Sequence, residues 1–258
     1  MSDARAEAWT EIAGSSGRGG AQTGGILIVA DHASNHVPAD IDLGIDPAIL
    51  DRHVAIDIGV APLAVALCES LACGGILAGV SRLVCDLNRE EDAPGLVPLA
   101  SDGIAIPGNA LGPAARAARV ARFFRPYHAA IEAAIARHDP ALLVSLHSFT
   151  PQLDTRPDEQ RPWHAGILYN EDDRAARIAI PLLEAAGIVT GDNEPYSGRV
   201  LNATMNRHGE AAGRPYLGIE VRQDQIEDAS GVARWAVLLE SVIGATWDSL
   251  VRATAEGS

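Results

Sequence analysis

Two short apolar runs end in histidine. Ile26-Leu-Ile-Val-Ala30 leads into Asp31-His32, with Asn35 and His36 close behind, and Leu142-Leu-Val-Ser-Leu146 leads into His147-Ser148. Neutral imidazole is the commonest metal ligand, and catalytic zinc centres use three protein ligands, often two histidines and a carboxylate, with a fourth position open to water. One histidine of this kind is usually a hydrogen-bonded structural residue; two of them, each followed by small polar residues, predict a metal site built on His32 and His147. The third ligand has two candidates. Asp57, in His53-Val-Ala-Ile-Asp57-Ile-Gly59, is the preferred carboxylate, with a turn aspartate beside Gly59 as the competing reading. Asn35 stands at an H-x-x-N spacing, but an amide oxygen is a poor zinc ligand beside a carboxylate.

Glu220 lies inside the apolar stretch Leu217-Gly-Ile-Glu-Val221, where an ionised carboxylate is costly unless paired or functional. It is the expected general base, its raised pKa suited to activating a water at the metal. The alternative is an ion pair with Arg222, two residues along the same strand face. Arg82 and Arg89 bracket Ser81-Arg-Leu-Val-Cys-Asp-Leu-Asn-Arg89. A guanidinium fork matches carboxylates and stabilises a developing oxyanion, so Arg89 is given a catalytic role and Arg82, with Asn88, a substrate-binding one. A salt bridge to Asp86 is the plainer explanation for either arginine. Ser148, Asn35, Arg222, His128 and His208 complete the candidate substrate contacts; for His128, His208 and also Tyr196, which lie in or beside polar segments, a surface role is the plainer reading. The sequence has no G-x-S-x-G elbow, no G-x-G-x-x-G after a strand, no H-E-x-x-H and no cysteine-rich zinc cluster, so serine-hydrolase and dinucleotide readings lack their usual support.

Such residues can meet only if several strands end at one edge. Continuous apolar runs mark strands covered on both faces, and in open α/β sheets the ligand crevice lies beyond the strands' C-terminal ends. Strands are predicted over 26–30, from 76 onward, and over 142–146, 166–169 and 216–222. Helical patterns fall over 61–71, 113–138, 172–187 and 231–252, with Pro126 expected to kink the second. That helix carries Arg116, Arg119, Arg122 and Arg125, a row that reads as a solvated face. Residues 90–112 and 150–163 read as long loops. Residues 1–24 lack periodicity and are taken as a flexible N-terminal arm, leaving 25–258 as a single domain. Alternating strands and helices give an α/β fold: three layers, α/β/α, around a mixed, mostly parallel sheet.

Composition narrows the function. The chain has 258 residues and a formal charge of -14; all 20 of its basic residues are arginine. An acidic surface disfavours nucleic acid and anionic membranes and favours a small-molecule substrate, and the missing lysine removes Schiff-base chemistry. No run approaches a membrane span and no basic flank precedes an apolar N-terminal segment, so a cytoplasmic location is expected. The cysteines, Cys68, Cys73 and Cys85, read as reduced packing residues.

Taken as an ordered set, Asp31-His-Ala-Ser-Asn-His-Val-Pro38, His53 to Gly59, Ser81 to Arg89, Tyr127-His128, Ser145-Leu-His-Ser148 and Gly218-Ile-Glu-Val-Arg-Gln-Asp224 resemble the N-formylglutamate amidohydrolase (deformylase) family. That family is similar in turn to the zinc carboxypeptidases and aspartoacylases, whose fold is a mixed eight-stranded sheet between helices. The resemblance implies a divalent metal, zinc, held by His32, His147 and a third ligand, with Asn35 standing where the wider group carries Glu. It implies substrate contacts from Asn88 and Arg89, and Glu220 as base. The implied reaction is hydrolysis of the N-formyl or N-acyl amide of a small acidic amino acid. Two alternatives share the residues: a carboxypeptidase-like or other N-acyl-amino-acid hydrolase, and a metal-free carboxylate-binding protein.

Overall fold

The computed structural model describes residues 8–14 and 25–256. One sheet of seven strands organises it: β1 (Trp9–Ile12), β2 (Ile26–Ala30), β3 (Gly74–Ala78), β4 (Leu142–Phe149), β5 (Ala165–Leu168), β6 (Thr190–Asp192) and β7 (Tyr216–Arg222). Their spatial order is β1-β3-β2-β4-β7-β5-β6. The central run β3-β2-β4-β7 is parallel, while β1 on β3 and β5 on β7 are antiparallel. The sheet is thus mixed and mostly parallel, as expected, with seven strands among the described residues where the resemblance implies eight.

Period-two alternation along β2 divides the core. Ile26, Ile28 and Ala30 face α1 (Val60–Ser70), α4 (Arg174–Ala185) and α6 (Ala229–Glu256). Leu27 and Val29 face the opposite layer, which holds Phe123, Phe124, Tyr127 and Ile131. Each fully buried aliphatic chain in such a strand contributes roughly 1.5–3 kcal/mol, which is why the run needs no polar alternation. The opposite layer is α2 (Pro113–Arg119) and α3 (Arg125–His138), joined by a π turn over Val120–Phe124. The irregularity directly precedes Pro126, whose missing N–H the wider turn accommodates.

Four differences from the sequence expectations have physical causes. Part of the expected N-terminal arm is β1, whose Glu11 sits opposite Ile76 on the sheet edge; the rest of 1–24, apart from residues 8–14, lies outside the described residues. The strand expected from Ile76 stops at Ala78, and 79–89 is a run of turns whose Ser81 and Asp86 side chains accept backbone N–H groups. The arginine row is a solvated face only in part, with Arg125 exposed as expected. Arg119 is buried and donates to the Val84 carbonyl and Asn109 Oδ1, Arg116 donates to the Glu91 and Ala93 carbonyls, and Arg122 and Arg125 pair with Asp40 and Glu91. Those contacts fasten the loops around residues 40 and 84–109 onto the helix. Finally, no helix was expected near Ala203–His208, where the short α5 forms.

Candidate active site

Three neighbouring parallel strands deliver the site. β4 and β7 pair with His147 opposite Glu220, and β2 and β4 pair through Val29 and Ser145, so two further residues bring Asp31 level with His147. His32 follows at once. Asp57 arrives from the loop ahead of α1, where its own N–H donates to the His32 carbonyl at 3.0 Å. Gly59 makes that approach feasible: its φ is +80°, and a Cβ there would lie 2.2 Å from the Ile226 carbonyl oxygen.

The side chains converge on one atom. His32 Nδ1 lies 3.3 Å and His147 Nδ1 2.9 Å from Asp57 Oδ2. All three residues are buried, and their donor atoms lie within 4.8 Å of one another. Each imidazole has a second carboxylate behind it. His32 Nε2 is 2.7 Å from Asp86 Oδ1. His147 Nε2 is 3.2 Å from Asp31 Oδ2, an ion-pair separation without hydrogen-bond alignment, and neither atom has another partner among the described residues. Metal-bound histidines are typically oriented by a carboxylate on the other ring nitrogen in this way. Tyr127 and Thr204 hydroxyls donate to Asp31 Oδ1 at 2.8 and 3.0 Å. Ligand atoms about 2.0–2.1 Å from a tetrahedral zinc lie roughly 3.3 Å apart, close to the two separations to Asp57. The donor set therefore fits a divalent cation.

Electrostatics agree with the geometry. Burial alone would raise Asp57, but the two imidazoles hold its carboxyl well below the usual range. Burial and Arg82 would lower His32; Asp86 and Asp57 raise it instead. Burial would likewise lower His147, and Asp31 and Asp57 push it well above the ordinary value. Without a cation, the protein thus satisfies Asp57 with protons on both Nδ1 atoms. Glu220 behaves oppositely: burial, opposed by His147 and reinforced by Asp57, pushes it up to about 7. Its Oε2 is buried with no hydrogen-bond partner among the described residues.

These groups line a cavity of about 620 Å³. Arg82, Asn88, Arg89 and Ser148 line it too. Arg82 is committed, donating to Asp57 Oδ1 at 3.3 Å and Asp86 Oδ2 at 3.0 Å. Arg89 makes a single 3.4 Å contact with Asp86 and keeps a third of its side chain exposed. Asn88 Oδ1 accepts the Thr204 N–H, leaving its amide nitrogen to the cavity. Ser148 donates its hydroxyl to the Ile58 carbonyl and its N–H to Asp57.

Four expected residues lie elsewhere. Asn35 donates to Asp51 on the surface. Arg222 turns to Asp224 and to the carbonyls of 161–163 rather than to Glu220, because those acceptors reach it at the exposed strand end. His128 and His208 are buried behind the site, 2.9 Å from each other. The Leu87 carbonyl can only accept, so His128 Nε2–H donates to it and His208 Nε2–H donates to His128 Nδ1; burial lowers both rings to about 4. Sequence reasoning left Asp31 without a role, offered Asp86 only as a salt-bridge partner of Arg82 and Arg89, which it is, and overlooked Asp102. That residue accepts the Asp154 and Thr155 N–H groups and the Thr155 hydroxyl and touches His53, tying three cavity loops together. Only the adjacency of Asp31 to His32 and the repeated charges around Asp86 hinted at the first two.

Comparison with known proteins is consistent with this arrangement. The family model for N-formylglutamate amidohydrolase matches residues 24–227. The structure is similar to that of a gene product of Agrobacterium tumefaciens, with 29% identity, a TM-score of 0.87, and coverage of 97% of this chain and 98% of that one. It shares its fold with the N-formylglutamate amidohydrolase of Ralstonia eutropha JMP134, at 21% identity and a TM-score of 0.69 over 96% and 99% of the two chains. No curated protein matches in sequence. Among the described residues no helix is long and apolar enough to cross a membrane. The chain belongs to the N-formylglutamate amidohydrolase family and is a hydrolase.

Proposed function

We propose that this hydrolase removes the formyl group from the N-formyl amide of a small acidic amino acid, N-formylglutamate being the type substrate, with the help of a divalent cation. The observation that carries the reading is the shared aim of His32 and His147: both turn Nδ1 to one Asp57 oxygen while Asp86 and Asp31 stand at their Nε2 atoms. His32, Asp57 and His147 would hold the cation, and two nitrogens with one carboxylate and an open position suit zinc. When bound, the cation supplies Lewis acidity, polarising the acyl carbonyl and lowering the pKa of a water. Glu220 takes a proton from the attacking water on its unpartnered oxygen and gives it to the amide nitrogen as the C–N bond breaks, releasing formate and the amino acid. Arg89, the least engaged arginine of this centre, and the free amide of Asn88 hold a substrate carboxylate. Arg82 keeps Asp86 ionised and donates a hydrogen bond to Asp57.

The test is turnover of N-formylglutamate by zinc-loaded protein, set against N-acetyl and N-succinyl amino acids and small peptides. Glu220→Gln should lower kcat by about 10²–10⁴-fold with metal content unchanged. Full turnover by that variant with metal bound would remove Glu220 as the base, and peptide cleavage without deformylation would replace the substrate class.

A further inference from the structure

The opposite wall of the cavity carries a donor that the mechanism does not use. Tyr196 lines the cavity with Glu220, and its phenolic oxygen accepts a hydrogen bond from Arg161 Nη1 at 2.8 Å. Arg161 is itself fully occupied. Its side chain is 1% exposed, its Nε and Nη2 both donate to Glu159 Oε1 at 2.9 and 2.8 Å, and Nη1 also reaches the Thr150 carbonyl. The guanidinium lies 4.9 Å over the Tyr196 ring. A phenol whose oxygen already accepts from a guanidinium must direct its own O–H elsewhere, and among the described residues no acceptor receives it. The arginine behind it makes it a stronger donor to an anion.

The loop that carries Tyr196 is fixed in place before any ligand arrives. Asn193 Oδ1 accepts the N–H groups of Tyr169 and Gly198. The Glu194 carbonyl packs where Gly166 and Gly191 lack side chains; a Cβ would sit 2.0 Å from it at Gly166 and 2.5 Å at Gly191. Sheet order sets the direction: Asn88 and Arg89 follow β3 on one side of the β2-β4-β7 centre, and Tyr196 follows β6 on the other. Two anion-seeking stations therefore flank the hydrolytic residues.

We infer that Tyr196, backed by Arg161, binds the second carboxylate of a dicarboxylate substrate and so selects acidic over neutral amino acids. This rests on the deformylase reading, with Arg89 and Asn88 taking the first carboxylate.

Tyr196→Phe, which keeps the ring and its stacking on Arg161, is the variant to make. KM for N-formylglutamate should rise about tenfold, the low end for a hydrogen bond to a charged group, with kcat kept. The KM for the near-isosteric N-formylglutamine should stay the same. Binding of glutarate and butyrate, measured calorimetrically on the zinc-loaded protein, checks the subsite without turnover: wild type should prefer glutarate, and Tyr196→Phe should lose about tenfold for glutarate alone. Equal losses for both ligands, an unchanged glutarate affinity, or a fall in kcat without a change in KM would each overturn the assignment. Absence of deformylation with the glutarate preference intact would instead overturn the deformylase reading and leave the subsite standing.

Discussion

Loading the site with a cation should expel protons, and their number tests the arrangement of the two histidines directly. In the metal-free protein Nε2 of each ring faces a carboxylate, Asp86 or Asp31, and Nδ1 faces Asp57. Those carboxylates raise both rings above their ordinary pKa, His147 well above it. They favour the doubly protonated form of each ring, and a cation bound by both Nδ1 atoms must displace whatever Nδ1 protons that form holds. Two unperturbed histidines at pH 7.5 would carry about 0.1 proton each and release roughly 0.2 in total. Here the release should clearly exceed that figure, because both rings are raised above the ordinary value. The sign follows: affinity for the metal rises with pH while the rings are still protonated in the metal-free protein, by up to roughly 100-fold per pH unit if both are, and levels off above their raised pKa values. Zinc titrations by calorimetry in buffers of different ionisation enthalpy give the number directly. A release near 0.2, with an affinity independent of pH above 7, would mean that the rings are neutral without metal and that the carboxylates around them do not hold them protonated.

The remaining predictions concern groups behind the ligands. Asp86→Asn removes the charge facing His32 Nε2 while keeping an acceptor, and should weaken zinc binding about 10–100-fold, the usual effect of losing an outer partner; competition with a chelator measures it, and an unchanged affinity would reduce Asp86 to an anchor for Arg82. The His128–His208 pair makes a separate prediction about acid stability. Both rings have pKa values lowered in the fold, from 6.5 to about 4, so the unfolded chain binds more protons. Stability is complete above about pH 6.5 and is lost as pH falls toward 4. The upper bound is about 3 kcal/mol per ring. Urea midpoints at pH 7 and 4.5 should therefore differ more for wild type than for His208→Gln, whose amide can still donate to His128; equal differences would show that the pair does not titrate on unfolding.

Much of the fold and part of the site were legible in the sequence. Ile26–Ala30 and residues 142–146 announce themselves because strands covered on both faces need no polar alternation, and the polar residue that follows each points to the site, although the second strand runs on through His147 to Phe149. Glu220 stood out for the converse reason, a carboxylate inside an apolar strand. Distance hid the rest. Asp86 lies 54 residues from His32, and Arg161 35 from Tyr196, separations at which no periodicity operates. His128 was a candidate because it lies beside polar residues and, with Tyr127, carries part of the family resemblance, yet neighbours on a helix point about 100° apart: Tyr127 reaches Asp31, while His128 turns to Leu87 and His208. β1 is short and half-exposed, too brief for any pattern to declare it.

Asn35 is the instructive case. Read as a motif, it stands where related hydrolases carry a glutamate ligand, and it casts doubt on the metal. Read in three dimensions, it is a surface residue bonded to Asp51, and the carboxylate has come from another segment. Asp57 is fixed by its N–H to the His32 carbonyl, and the loop behind it by the close packing of Gly59 on Ile226. Its position thus depends on the docking of α1 rather than on the spacing within the His32 loop. The grouping of two histidines and one carboxylate is thus specified by tertiary packing, and the amide at position 35 leaves it intact.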